Sequence, residues 1–223
     1  MVREKCRLFG SGIVSTLMLA GAIPTNALGQ NVDLSGIWYG GGGPTGRTSE
    51  HPPLTEHGHA VSDGFDAADD PHNQCEQAGL ARHLTTPYPW KIEQYDDEVL
   101  FIYEEWEIVR TVRLDAEPPE DLQASKMGFS VGRYVDGELI VNTTGLTAGL
   151  PRLANYFWYS SDQAMIEERY SRNAQGDLIQ NVVMHDPVML AEPWVMHRVF
   201  KPYDFELLSF ECELRERPPP RNP

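Results

Sequence analysis

Phe129-Ser130-Val131-Gly132-Arg133-Tyr134-Val135-Asp136-Gly137-Glu138-Leu139-Ile140-Val141-Asn142-Thr143-Thr144 is two alternating runs around an Asp-Gly pair. Asp-Gly between such runs favours a two-residue turn whose twist suits antiparallel strands. That turn sets Val135 opposite Glu138, Arg133 opposite Ile140 and Val131 opposite Asn142. Directly opposed residues share a side of the sheet, so Arg133 and Asn142 lie on one face. Tyr134, Leu139 and Val141 lie on the other.

Similar runs extend to both sides. Leu34 to Tyr39 comes first, then Trp90 to Tyr95 and Glu98 to Tyr103 around Asp96-Asp97. In Trp106 to Leu114, Trp106, Ile108, Arg110, Val112 and Leu114 share one face, and Glu105, Glu107, Val109, Thr111 and Arg113 the other. Met165 to Ser171, Asp177 to Met184, Trp194 to Phe200 and Phe205 to Glu211 follow. Helix fits only near Glu56 to Asp69 and Gln77 to Leu84. Many short strands and little helix predict an all-β domain. A single antiparallel barrel removes the exposed edges of such a sheet, with a sandwich as the alternative.

The first 29 residues stand apart. Arg3, Lys5 and Arg7 precede an apolar run from Leu8 to Ile23, and Ala27-Leu28-Gly29 offers a small-x-small site. This pattern predicts a cleaved signal peptide over 1–29. The run is broken by Gly10, Gly12, Gly21 and Pro24 and falls short of the ~20 residues of a spanning helix. The expected organisation is a signal peptide over 1–29, a barrel over 30–216 and a disordered proline-rich tail over 217–223. Gly40 to Pro53 reads as loop.

The whole chain carries a net charge of −15, and losing three basic residues and one acid with the signal peptide makes it −17. So acidic a domain is a poor partner for nucleic acid or an anionic membrane. A periplasmic or secreted location is expected. There, Cys75 and Cys212, far apart in sequence, are most simply a disulfide.

No phosphate loop, dinucleotide fingerprint or Gly-x-Ser-x-Gly is present, so no cofactor is expected. His51 and His57-Gly58-His59 lack the further ligands of a metal site, and none is assigned. The candidate acid–base groups are His185, at a strand end before Asp186-Pro187, and Glu107 beside Arg113, with Glu105 as a second carboxylate. Arg133 would steady a developing anion. Asn142, Trp106, Tyr156 and Trp158 are the candidate substrate contacts. Tyr156-Phe157-Trp158-Tyr159, after Gly149-Leu150-Pro151, reads as a lid over a barrel mouth. The partner these residues suit is a small apolar or aromatic molecule.

Gly36-Ile37-Trp38-Tyr39 resembles the Gly-x-Trp opening of lipocalins and other calycin barrels. That resemblance implies that Trp38 closes the barrel floor beneath an arginine. More broadly, the chain resembles a family of exported bacterial proteins of uncharacterised function. The landmarks are Asp33-Leu34-Ser35-Gly36-Ile37-Trp38, Asp70-Pro71 with Cys75, Pro87-Tyr88-Pro89, Arg110 and Leu114-Asp115. They continue through Ser130-Val131-Gly132-Arg133, Gly137 to Thr144, Glu168-Arg169-Tyr170, Asp186-Pro187 and Pro193-Trp194. Three positions depart: Asn142 stands where the family usually has Asp, Met165 where it often has His, and His185 where it often has Glu. Together the residues and the resemblance suggest a cofactor-free lyase, isomerase or cyclase. Alternatives are a lipocalin-type carrier and a structural, partner-binding protein.

Overall fold

The structure is a computed structural model that describes residues 31–40, 51–153 and 156–214. The expected signal peptide, most of the Gly40–Pro53 loop and the 217–223 tail lie outside the described residues. Nine strands close into a barrel. They are β1 (Gly36–Tyr39), β2 (Trp90–Gln94), β3 (Glu98–Tyr103), β4 (Ile108–Leu114), β5 (Phe129–Val135), β6 (Glu138–Thr144), β9 (Met165–Arg172), β10 (Leu178–His185) and β11 (Trp194–Pro202). Around the barrel their order is β1, β11, β10, β9, β6, β5, β4, β3, β2. A two-stranded ribbon, β7 (Arg152–Leu153) with β8 (Tyr156–Phe157), stands outside it.

The β5–β6 register is the one that Asp136-Gly137 requires, with Arg133 opposite Ile140 and Val131 opposite Asn142. Asp136 and Gly137 both take positive φ, as the turn demands. The barrel is not wholly antiparallel. β4 and β5 pair in parallel, because the chain from Asp115 to Gly128 crosses back before the next strand begins. Gly132 makes that pair possible, since a Cβ there would lie 2.7 Å from the Val112 side chain.

Phe205 to Glu211 does not form a strand. β1 already pairs with both β2 and β11, so the sheet has no free edge to receive it. Instead the segment is held as a strap over the outside. Leu208 N–H donates to the Glu104 carboxylate at 2.9 Å, and Phe210 packs on Tyr88 and Trp106. Cys212 is disulfide-bonded to Cys75, as the sequence suggests, with Cα atoms 5.7 Å apart.

Large side chains fill the interior. One cluster, around Leu34, Trp38, Trp90, Ile92, Phe101, Tyr170 and Phe200, packs the Trp38 end. A second, around Leu80, Leu84, Trp158, Met184, Trp194 and Met196, packs the opposite end. Two short helices are α1 (Glu56–Ser62) and α2 (Leu80–His83), and α2 covers this second cluster. The barrel is therefore a packed core and not an open calyx.

Trp38 is fully buried, and its indole N–H donates to Leu34 O at 2.9 Å. The Arg172 guanidinium lies 5.1 Å above its ring. Trp38→Ala should cost about 3–5 kcal/mol, the usual loss for a buried aromatic. Urea unfolding checks this, and an unchanged midpoint would show that Trp38 does not hold the floor.

Candidate functional site

Glycine-permissive geometry at two non-glycine residues creates the site. Trp106 (φ 68°) and Glu107 (φ 49°) both sit in the left-handed region, between β3 and β4. Left-handed residues break the two-residue alternation of a strand. The face assignment for Glu105, Trp106 and Glu107 fails for that reason. Glu105 turns inward and is 4 % exposed, Trp106 is half-buried, and Glu107 faces solvent, where it accepts from Ser209 Oγ at 3.0 Å. Strain of this kind in non-glycine residues commonly marks a functional position.

Glu105 lies between two imidazoles. His83 Nδ1 is 3.5 Å from its Oε2, and His72 Nδ1 is 3.5 Å from its Oε1. α2, whose four residues are all buried, presents Arg82 and His83. Its start needs Gly79, at φ 96°, where a Cβ would lie 3.0 Å from Lys126 O. Arg82 pairs with the buried Asp70 at 2.8 Å and donates to Leu150 O at 3.3 Å. His72 Nε2 accepts the Trp106 indole N–H at 3.2 Å.

Burial controls the charges. Desolvation pushes the Glu105 carboxyl up to about 7, against the pull of Arg82. Desolvation, with His72 and Arg82 adding to it, lowers His83 to about 3. Desolvation and then Arg82 lower His72 to about 4. At neutral pH both imidazoles are therefore neutral, and Glu105 is poised between its two forms. The 3.5 Å approach of His83 to Glu105 is not a formed hydrogen bond. Both His83 nitrogens and Glu105 Oε2 are buried without a hydrogen-bond partner. Such groups are costly unless something completes them.

A cleft opens beside this pair. His83, Leu84, Thr86, Trp90, Tyr103, Gln180, Arg198 and Phe200 contribute to its walls, and its volume is about 10 Å3, room for roughly one water. His83 stacks on Tyr103 with ring centres 5.0 Å apart, and Trp90 meets Phe200 edge-on at 5.2 Å.

Behind the cleft a polar band crosses the barrel. Arg110 is ion-paired with Glu168, and it donates to Ser130 Oγ at 2.9 Å and Thr143 Oγ1 at 2.8 Å. Tyr170 O–H also donates to Glu168, and Gln180 Nε2 donates to Tyr170 at 2.9 Å. Burial opposes the Arg110 charge, but Glu168 outweighs it and holds the guanidinium charged. Desolvation first, then Glu168, raises Tyr170 and keeps it protonated.

The residues that sequence reasoning selected do not converge here. Arg133 and Asn142 share a face as expected, but that face is the exterior. The inward residues of the hairpin are Ser130 and Gly132 with Leu139, Val141 and Thr143. His185 ends β10 on the outward side, because Gln180, Val182 and Met184 already point in and alternation turns His185 out. The structural anchor there is Asp186, which accepts from Ser161 N–H and Oγ, both at 2.7 Å. Trp158 is fully buried against Trp194, so it is core and not a ligand contact. Tyr156 is half-buried and packs beside Trp158. Phe157 is not a free lid residue either, since it lies under the guanidinium groups of Arg82 and Arg152. His57 and His59 sit on α1, and no group of three or more metal-ligating side chains occurs among the described residues.

Of the observed site, Glu105, Trp106 and Arg110 carried a signal in the sequence, as did Ser130, Glu168 and Tyr170 among the landmarks of the resemblance. His83 and His72 sit in segments without clear periodicity, so nothing local marked them. Compared with known families and curated proteins, the chain matches no family model and no curated relative.

Proposed function

We propose that this chain is an exported barrel that performs cofactor-free acid–base chemistry on a small apolar or aromatic compound. The reaction class is a lyase, isomerase or cyclase, and the site is the cleft beside His83. The observation that carries this reading is a buried carboxyl poised near neutrality, 3.5 Å from a neutral histidine on a small cleft of mixed aromatic and polar lining. Glu105, raised to about 7, is the group able to exchange a proton near neutral pH, and His83 stays neutral beside it. Tyr103 forms part of the same wall, with Arg110 3.5 Å from its oxygen. Burial raises its hydroxyl pKa, so it stays a donor able to steady negative charge on the substrate.

Export is supported by the disulfide, since such bonds persist in oxidising compartments. No helix among the described residues is long and apolar enough to cross a membrane. The second reading is a lipocalin-type carrier, favoured by Trp38 under Arg172 at the barrel floor. The filled interior limits any cargo to the cleft.

Ring-opening of nitrobenzisoxazole tests the enzyme reading. A base removes the ring C–H proton, the N–O bond breaks, and a cyanophenolate leaves, with no co-reactant. The protein should open this flat probe at least 10²-fold faster than equimolar imidazole. Binding without turnover would leave the carrier, and neither binding nor turnover would remove both readings.

A further inference from the structure

Tyr203 to Leu214 follows β11 across the outside of the barrel without joining its sheet. Its contacts fall on both parts of the candidate site. Phe210 packs on Tyr88, which lines the cleft, with ring centres 6.3 Å apart. It also packs on Trp106 at 4.9 Å, and the Trp106 indole reaches His72 beside Glu105. On the same strained turn, Glu104 accepts from the Leu208 N–H and Glu107 from the Ser209 hydroxyl. With the strap in place the cleft has room for roughly one water. A larger substrate therefore needs the cover to move.

The strap has little hold of its own. Phe205, Leu208 and Leu214 stay exposed, so it buries little apolar surface. It carries Asp204, Glu206, Glu211 and Glu213 and no lysine or arginine. It docks on a turn that bears three more acids, Glu104, Glu105 and Glu107. Repulsion among these carboxylates opposes docking, and Lys91, within reach of the Glu206 charge, offsets part of it. The covalent hold is the Cys75–Cys212 bridge. Cys75 ends the short helical turn Pro71–Gln74 that bears His72, and Cys212 Sγ lies 3.9 Å from His72 O. Both cysteines are only partly buried, so a thiolate can reach the bridge. We propose that the strap is a redox-latched cover: the bridge holds Phe210 against Tyr88 and Trp106, and reduction by a dithiol releases it. In that step the dithiol gives up two electrons and two protons and becomes a disulfide, while the bridge becomes two thiols. The role of the cover rests on the cleft and Glu105 being the working site, but the uncovering is read without activity.

Hydrogen exchange and hydroxyl-radical footprinting of the full chain, with and without dithiothreitol, test the latch. After reduction the amides of 203–214, Leu208 included, should exchange about ten-fold faster, while the paired strands keep their protection. Radical labelling of Tyr88 and Trp106 should rise several-fold, with the fully buried Trp158 unchanged. Phe210→Ala, with the bridge intact, should raise labelling of the same two rings. Nitrobenzisoxazole turnover should rise about ten-fold in Cys75→Ser with Cys212→Ser, which needs no reductant in the assay. Unchanged exchange and labelling on reduction would overturn the latch, whatever the turnover. Loss of protection across the whole barrel would overturn it too, since the bridge would then hold the fold and not a cover. Faster exchange and labelling with turnover present but unchanged would show that the strap does not limit entry, and would end the proposal. Uncovering on reduction, with no turnover in either form, would uphold the latch and sink only the acid–base reading. The deciding comparison is made on the unaltered protein, so it holds even if the variants misfold.

Discussion

Arg110→Met should lower the stability of the fold by about 3–5 kcal/mol in equilibrium urea unfolding, the usual result of stranding one half of a buried ion pair. Arg110 and Glu168 are both buried, and the guanidinium also satisfies Ser130, Thr143 and Tyr103. Methionine fills the space without a donor. It leaves the Glu168 carboxylate with Tyr170 and Gln180 but no cation. Most of the loss is therefore the cost of an uncompensated charge and not the worth of the pair itself. The double variant Arg110→Met with Glu168→Leu should recover much of the stability, since apolar replacement of a buried pair is often near neutral. A single variant as stable as the parent would mean that water reaches the band, and a double variant no better than the single would mean that the network matters beyond its charges.

Turnover of nitrobenzisoxazole should fall about 10²–10⁴-fold in Glu105→Gln. The pH profile distinguishes its role from mere packing. His83, lowered to about 3, is neutral across the working range and cannot itself produce a step near neutrality. Glu105, raised to about 7, can. Glu105 is a base only when ionised, so the rate should rise with pH through about 7 and then level. Glu105→Gln should lower the plateau and abolish the step. A profile that keeps its midpoint in Glu105→Gln would assign the titration to another group. Full activity in Glu105→Gln would end the assignment of the base.

Most strands are legible in the sequence wherever alternation and turn chemistry agree, although a sandwich stays open beside the barrel. Asp136-Gly137 set the β5–β6 register, and the same logic placed β2, β3, β9, β10 and β11. That Arg110 and Val112 share a face also followed from alternation. Two cysteines far apart, in a chain whose start reads as a signal peptide, were enough to suggest the bridge. These are local properties, or consequences of composition, and they need no partner to be read.

Packing settles which face looks inward and which distant groups meet. Both faces of the β5–β6 hairpin carry apolar residues, so nothing local could show that Arg133 and Asn142 lie outside. The parallel β4–β5 pair follows from where the 115–128 crossing lands. Phe205 to Glu211 looks like a strand but finds the barrel already closed. His83, Glu105 and Gln180 come from a short helix, a strained turn and a strand far apart in the chain. Their chemistry arises from desolvation, and desolvation depends on everything packed around a group and not on the residues beside it in sequence.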